Sequence, residues 1–404
     1  MATTSFLYHT MGLAHYQHEK SDYKNGANYY HIKRKKDERY CSGCHARWPH
    51  LSMDGTFERT FRALPVGPRQ QYIVLHGHEQ KCHQCGKTLR EPIPFAKGKR
   101  QSLKSFDRYV IDLCQIASIK DVATLLSIGW DVVKEIFKEH LEHRLKKRKL
   151  GKVRYIAIDE FAIRKGHQYM SVILDVESGQ ILHVNEGKDA DAILPFLRKL
   201  KQKRAKLSAV AIDMSPAYIN AVQKVFPTVD IVHDHYHVVA MVNQAIDKTR
   251  RDLARDLTES EHSYIKGSRF LLLKGLEKLS GHSFDRLMQL MEINEPLYEA
   301  YLLKENLRMF WDFDNEKSGQ NFLDLWIAQA KACGIKHFAK LADTLDRHRS
   351  GLLNYFKHFI STAPLEGLNN KIKTLKRQAY GFRDNHYFKL RLYFIHESIP
   401  AFAG

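Results

Sequence analysis

Residues 153–159 read VRYIAID and residues 207–213 read LSAVAID. Each is an unbroken apolar run closed by an aspartate, the pattern of a strand buried on both faces of a largely parallel sheet. Between them, HQYMSVILDVES (167–178) and QILHVNEG (180–187) predict two more strands turning at Glu177, Ser178 and Gly179. The apolar stripe Ile193, Leu194, Leu197 and Leu200 then predicts a helix over about 190–203. Ser215 and Pro216 open another helix, and TVDIVHD (228–234) adds a fifth strand. The order is β-β-β-α-β-α-β, an α/β fold with three antiparallel strands followed by two crossovers. Asp159 and Asp213 fall at or near strand ends, along the carboxyl edge where sites gather in open α/β sheets. One such aspartate alone is commonly a turn former or helix cap. Two at neighbouring strand ends repel unless a cation lies between them, and hard oxygen donors suit Mg²⁺ or Mn²⁺.

A third carboxylate is expected further on. From His237 to about residue 350 the chain is charged and helical with no strand pattern, too long for a loop and therefore an inserted helical domain. Residues 351–395 return to amphipathic helices. Within PLEGLNNKIKTLKRQAYGFRD (364–384), Leu368, Ile372, Leu375 and Ala379 form one helical stripe, and Glu366, Asn370, Lys373 and Arg377 form another. A mixed-charge surface helix has the same pattern. Two adjacent asparagines are poor helix formers, so something other than propensity places them there, and Glu366 is the candidate third ligand.

Toward the N-terminus, HRLKKRKLGK (143–152) reads as a basic linker. Before it, Phe106, Val110 and Leu113 mark a helix, with Cys114 beside them as a buried free thiol. Residues 118–141 (SIKDVATLLSIGWDVVKEIFKEHL) predict a helix over about 119–126, a turn at Ser127–Gly129 and a second helix from Trp130. This is a helix-turn-helix pattern, weak alone and stronger beside basic flanks. Cys41 and Cys44, then Cys82 and Cys85, form two CxxC pairs separated by FERTFRALPVG and QQYIVLHGH, which read as short strands. Two such turns on adjacent hairpins supply four thiolates for a structural Zn²⁺; His76, His78 and His83 are substitute ligands of lower rank, read as surface residues. Residues 1–35 have no clear period.

Sixty-four Lys and Arg against 45 Asp and Glu give a net charge of +19 on 404 residues. The basic residues cluster at HIKRKKDER (31–39), KGKR (97–100), RLKKRK (144–149) and Lys371, Lys373, Lys376 and Arg377. Several runs flanking separate modules point to a long polyanion, with nucleic acid as the default partner. The ordinary apolar content of 44% excludes wholesale disorder, and no apolar run is long enough to span a bilayer. The N-terminus lacks a secretory pattern, so a cytoplasmic, nucleoid-associated protein is expected.

Taken in order, the paired CxxC, the helix-turn-helix, IAIDEFAIRKG, AIDMSPAY, HDHYHVV and PLEGLNNKIKTLKRQAYGFRD resemble the DDE transposases, specifically the ISL3 family of bacterial insertion sequences. The resemblance implies an RNase H-like catalytic core interrupted by a helical insertion before the final glutamate. It makes Asp159, Asp213 and Glu366 the catalytic triad, holding two Mg²⁺ (or Mn²⁺) ions, with Asp234 and His237 supporting them. Trp311 or Trp326 matches the tryptophan that such insertions carry. It further implies a zinc-binding module (1–100), a helix-turn-helix domain (101–142), a basic linker (143–152), the first part of the core (153–236), the insertion (237–350) and C-terminal core helices (351–404). The expected partners are double-stranded DNA, as terminal inverted repeats and target, and a second copy of the chain in a dimer or larger synaptic complex. Trp130, Lys134, Arg144, Lys146, Lys147, Arg148, Asn370, Lys373, Lys376 and Arg377 are the expected DNA contacts. Two other readings use the same residues. A nuclease or resolvase would cleave without joining, and a non-enzymatic zinc and helix-turn-helix regulator would leave the three carboxylates without a common purpose.

Overall fold

The computed structural model describes residues 4–164, 168–255, 265, 267–379 and 381–395. Lys165, Gly166, His167 and Tyr380 of the motifs quoted above lie outside the described residues. Two compact units divide the chain, residues 1–143 with 398–404, and residues 144–397. Helices of eight or more residues are labelled here. No described helix is long and apolar enough to cross a membrane.

In the first unit, α1 (Thr4–Met11) precedes strands β1 (Tyr16–Lys24), β2 (Ala27–Arg34), β3 (Leu51–Val66), β4 (Arg69–Cys82) and β5 (Thr88–Arg90), arranged β1-β2-β4-β3 with β5 on β4. The region that lacked a sequence period is thus a helix and a hairpin. Its strand YQHEKSDYK is almost wholly polar, so it carries no apolar alternation to read. The turn at Asn25 and Gly26 places both residues at positive φ, as a two-residue hairpin requires. The strands read as short are long, because β3 and β4 pair from Leu51↔Cys82 to Val66↔Arg69, with register shifts at Met53–Gly55 and Ala63–Val66. The basic run 31–39 is partly internal: Arg34 is 2% exposed and donates to Tyr16 Oη and the Pro92 carbonyl, each at 2.7 Å.

Helices α2 (Lys104–Ile116), α3 (Ile119–Leu126) and α4 (Trp130–Lys146) complete this unit's described elements, though the last residues of α4 fall in the second. Ser118 and Asp121 cap α3 reciprocally, and Ser127 ends it in the left-handed region. Phe106, Val110, Cys114, Val122 and Val133 are buried. Arg62 on β3 donates to the Leu126 carbonyl at 3.0 Å, tying the sheet to the turn after α3.

The second unit contains a sheet in the order β10-β9-β6-β7-β8, with β6 (Tyr155–Arg164), β7 (Gln168–Asp175) and β8 (Ile181–Glu186) antiparallel, and β9 (Ala209–Ile212) and β10 (Asp230–His233) parallel to β6. Helices α5 (Ala190–Gln202) and α6 (Pro216–Val225) cover one face through Ile193, Leu197, Leu200 and Val222 against Ile156, Ile158 and Val210. The other face, with Ala157, Phe161 and Val172, packs on α12 (Ala363–Gln378) and α13 (Asn385–Tyr393). Between β10 and α12 lie α7 (His235–Leu253), α8 (His282–Ile293), α9 (Glu295–Arg308), α10 (Glu316–Ala332) and α11 (Lys336–Arg347), which build a separate apolar core. Trp326 is buried in that core and donates to the Leu303 carbonyl at 2.9 Å.

Candidate active site

Three aspartates meet at one edge of the second sheet because of strand register. β6 and β9 run in parallel with Ala157 opposite Ala211, so continuing the ladder sets Asp159 level with Asp213. β10 and β9 pair His233 with Ile212, and the Asp234 amide donates to the Ile212 carbonyl at 3.1 Å, so Asp234 stands beside Asp213. Asp159 does not end its strand, as the sequence suggested. β6 continues to Arg164 because β7 still pairs with it after β9 has stopped. Asp159 therefore sits where β6 has lost one neighbour, which leaves its side chain open on the face toward α12.

Helix α12 starts with Pro364 in its first turn, where the missing N–H costs no hydrogen bond. Leu365, Leu368 and Ile372 are buried against the sheet, and this phase swings Asn369 over Asp159, with Nδ2 donating to Oδ2 at 3.2 Å. The sequence stripe named Asn370, but that residue is exposed, and the neighbouring Asn369 makes the contact. The signal available was the Asn pair, three and four residues after Glu366. Glu366 itself accepts from Tyr236 Oη at 3.3 Å, on the first turn of α7 directly after Asp234. Asp234 is 3% exposed, accepts from the Thr362 amide at 3.4 Å, and lies 4.0 Å from His237 Nε2. Asp213 accepts from the Ser215 amide at 3.0 Å. Of the two tryptophans, Trp326 is internal, whereas Trp311 packs on His235 with ring centroids 4.1 Å apart, next to Asp234 in sequence.

Burial raises the pKa of Asp159, opposed by the Glu160 amide, the His237 charge and Asn369, and reinforced by the charge of Asp234. Glu160 is raised by burial and then by the charges of Asp213 and Asp159, while Lys188 opposes the shift. It faces α6, where Tyr218 donates to it at 3.4 Å. Such crowding of acids favours a bound cation. The Asn369 Oδ1 atom is buried and has no hydrogen-bond partner, so an amide oxygen stands ready beside the carboxylates, and the donor set fits a hard divalent ion. The oxygens of Asp159, Asp213 and Glu366 do not yet form a tight set. Among the described residues, only the four cysteines bring three or more ligand atoms within 4.8 Å of one another.

Those cysteines lie in the first unit. Cys41 Sγ is 3.8 Å from Cys85 Sγ, and Cys44 Sγ is 3.6 Å from Cys82 Sγ. A tetrahedron with bonds of about 2.3 Å to Zn²⁺ has edges of about 3.8 Å. Both turns are built alike: the His45 amide returns to the Cys41 carbonyl, the Gly86 amide returns to the Cys82 carbonyl, and His45 and Gly86 both adopt positive φ. Backbone N–H groups of Cys44 and Gly43 hold the Cys41 thiol down at about 7. The candidate histidines do not join: His76 bonds His31 at 2.8 Å and His83 is exposed.

The basic residues separate into two groups. Trp130 is 54% exposed at the start of α4, with Lys134 Nζ 5.8 Å from its ring centroid. Lys146, Lys147, Lys373 and Arg377 are also exposed. By contrast Arg148 donates to the Ile181 and Tyr393 carbonyls, Arg144 sits over the Phe394 ring, and Lys376 donates to the Ile163 carbonyl. These three are among the expected DNA contacts, and in this structure their side chains engage other parts of the chain. Backbone acceptors distant in sequence are invisible to a charge pattern.

A family model described as "Transposase", of the ISL3 group of DDE transposases, matches residues 156–392. The transposase of insertion sequence element IS1001 from Bordetella parapertussis is 32% identical over 358 residues, covering 87% of this chain and 87% of its own. The transposase of IS1557 from Mycobacterium tuberculosis is 28% identical over 352 residues, covering 80% of this chain and 78% of its own. Among solved structures, the Drosophila P element transposase strand transfer complex matches with 11% identity and a TM-score of 0.41, over 72% of this chain and 91% of that one.

Proposed function

The chain belongs to the ISL3 family of DDE transposases, and from that premise we propose that Asp159, Asp213 and Glu366 are the carboxylates that carry its DNA chemistry. The protein is a DNA transposase, and its family implies dependence on divalent metal. The observation that supports these three residues is the convergence of mid-β6, the end of β9 and α12, with Asn369 bonded to Asp159 at 3.2 Å. Asp159, Asp213 and Glu366 would hold two Mg²⁺ or Mn²⁺ ions. When bound, such ions polarise the scissile phosphate and activate water or a DNA 3′-hydroxyl. Asn369 orients Asp159 and offers its free amide oxygen, while Asp234 and His237 fix the start of α7 and hence Tyr236 against Glu366. No protein side chain attacks DNA, so no covalent protein–DNA intermediate is expected.

In the same reading, the second unit's sheet with its helical insertion is an RNase H-like core. The four cysteines hold Zn²⁺ and brace the first unit, and α3 and α4 form a helix-turn-helix that sets Trp130 and Lys134 toward the major groove of the terminal repeats. Lys146, Lys147, Lys373 and Arg377 remain as phosphate contacts. Joining two ends calls for at least a dimer.

The test is a Mg²⁺-dependent cleavage and joining assay on DNA carrying the element's own terminal repeats. Wild-type protein is expected to yield joined products, and Asp159→Asn to bind ends without cutting them. Cleavage retained in Asp159→Asn would overturn the site. Cleavage without joined products would instead identify a nuclease.

A further inference from the structure

A cavity of about 420 Å³ beside the catalytic edge has no role in the reading above. Its walls include Ile163, Tyr169, Glu186, Lys188, Arg383 and Asn385, contributed by the far end of β6, the start of β7, the end of β8 with the segment after it, and the segment between α12 and α13 with the first residue of α13. Two cations face one carboxylate here. Glu186 is already engaged by Asn385 at 3.3 Å and by Lys389 at 3.5 Å, so the field left for a ligand is positive. Lys188 Nζ sits 4.8 Å from the Tyr169 ring centroid, placing an ammonium and an aromatic surface together. Few apolar walls are present, which argues against a free small molecule held by burial. It suits a phosphate-bearing group presented by a larger chain that is gripped elsewhere.

The cavity is wired to the catalytic edge. Ile163 lies four residues after Asp159 on the same strand, about 13 Å at 3.3 Å per residue. That distance is about four nucleotide steps along a duplex strand. The Ile163 carbonyl accepts from Lys376 on α12, the helix of Glu366 and Asn369. The Gly187 carbonyl accepts from Ser171 at 2.9 Å; Ser171 bonds Tyr218 at 2.8 Å, and Tyr218 reaches Glu160 at 3.4 Å. We propose that this cavity is a subsite for one nucleotide of the DNA strand adjoining the scissile phosphate, turned out of the duplex, with its phosphate between Lys188 and Arg383 and its base against Tyr169 and the Asn385 amide. Unstacking the base is offset by its contact with the aromatic ring and by phosphate neutralisation. The inference rests on the assignment of Asp159, Asp213 and Glu366 as the reacting centre.

The experiment uses full-length protein and duplex DNA spanning an element end, with 5-iododeoxyuridine placed singly at each of the four positions on either side of the cleavage site. After irradiation, one position is expected to cross-link to Tyr169, and Tyr169→Leu to lose that adduct. Cross-links that map only to other residues, in complexes that cleave DNA, overturn the subsite and leave the catalytic assignment standing. Failure of the catalytic assignment looks different, because Asp159→Asn then still cleaves. As a second readout, Lys188→Ala combined with Arg383→Ala changes two exposed side chains and spares the core. It is expected to lower cleavage roughly ten-fold or more while end affinity stays within about two-fold. Cleavage at the wild-type rate in this variant overturns the proposal.

Discussion

Asn369 is the residue through which the site is best probed short of its carboxylates. It holds Asp159 by one amide hydrogen while its buried oxygen has no partner. An amide in that position orients a metal-binding carboxylate, and the loss of such a support typically costs about 10–100-fold in metal affinity or activity. Asn369→Ala should therefore reduce cleavage by about that factor, raise the Mg²⁺ concentration needed for half-maximal rate, and leave end binding unchanged. A normal metal titration would show that Asn369 serves only packing. Both aspartates were legible because an apolar run closing in Asp is a strand-level signal. The choice of Asn369 over Asn370 was not, since the helix phase needed to separate adjacent residues depends on how Leu365 and Leu368 seat on the sheet. The internal contacts of Arg148 and Lys376 were illegible for a related reason: their acceptors are carbonyls of Ile181, Tyr393 and Ile163, and a carbonyl exists at every residue.

Among the elements, the second unit's strands and helices were readable because each has an apolar period, whereas β1 and the length of β3 and β4 were not. Half of the outer hairpin is polar, so its extent is set by pairing rather than by a hydrophobic face. The two cysteine turns close the end of that long hairpin, where Leu51 pairs with Cys82. A metal held there would restrain the open end of β3 and β4 and is expected to contribute folding free energy directly. A Cys82→Ser variant, or wild type treated with a strong chelator, should lose the thermal transition of the first unit and its end binding together. Co²⁺ in place of Zn²⁺ should give thiolate charge-transfer absorption that Cys82→Ser weakens. An unchanged melt on chelation would mean that the thiols pack without metal.

For the whole molecule, pH acts on parts that the net charge of +19 does not reveal. His183 stacks on Phe196, and His233 lies 3.2 Å from His348; burial holds each at about 4. Both stay neutral in the fold but gain a proton in the unfolded chain near their ordinary value of about 6.5. The unfolded state therefore binds more protons between pH 6.5 and 4, and stability falls as pH drops through that window. The loss should be on the order of 1–2 kcal/mol per histidine, seen as a lower melting temperature of the second unit at pH 5 than at pH 7. His183→Gln should flatten that dependence; an equal slope in the variant would clear His183 of the effect. The register that sets Asp159 beside Asp213 also has a consequence for synthesis. The ribosome delivers these two aspartates, and residues 1–143 with all four clustered cysteines, long before it reaches α12. A chain cut short before α12 therefore carries both aspartates but lacks Glu366, Asn369 and the helix that covers one face of the sheet. On the proposal that the first unit binds element ends, translation that stops in the insertion would make an inert competitor for those ends, and premature termination of this message would act as a brake on its own element.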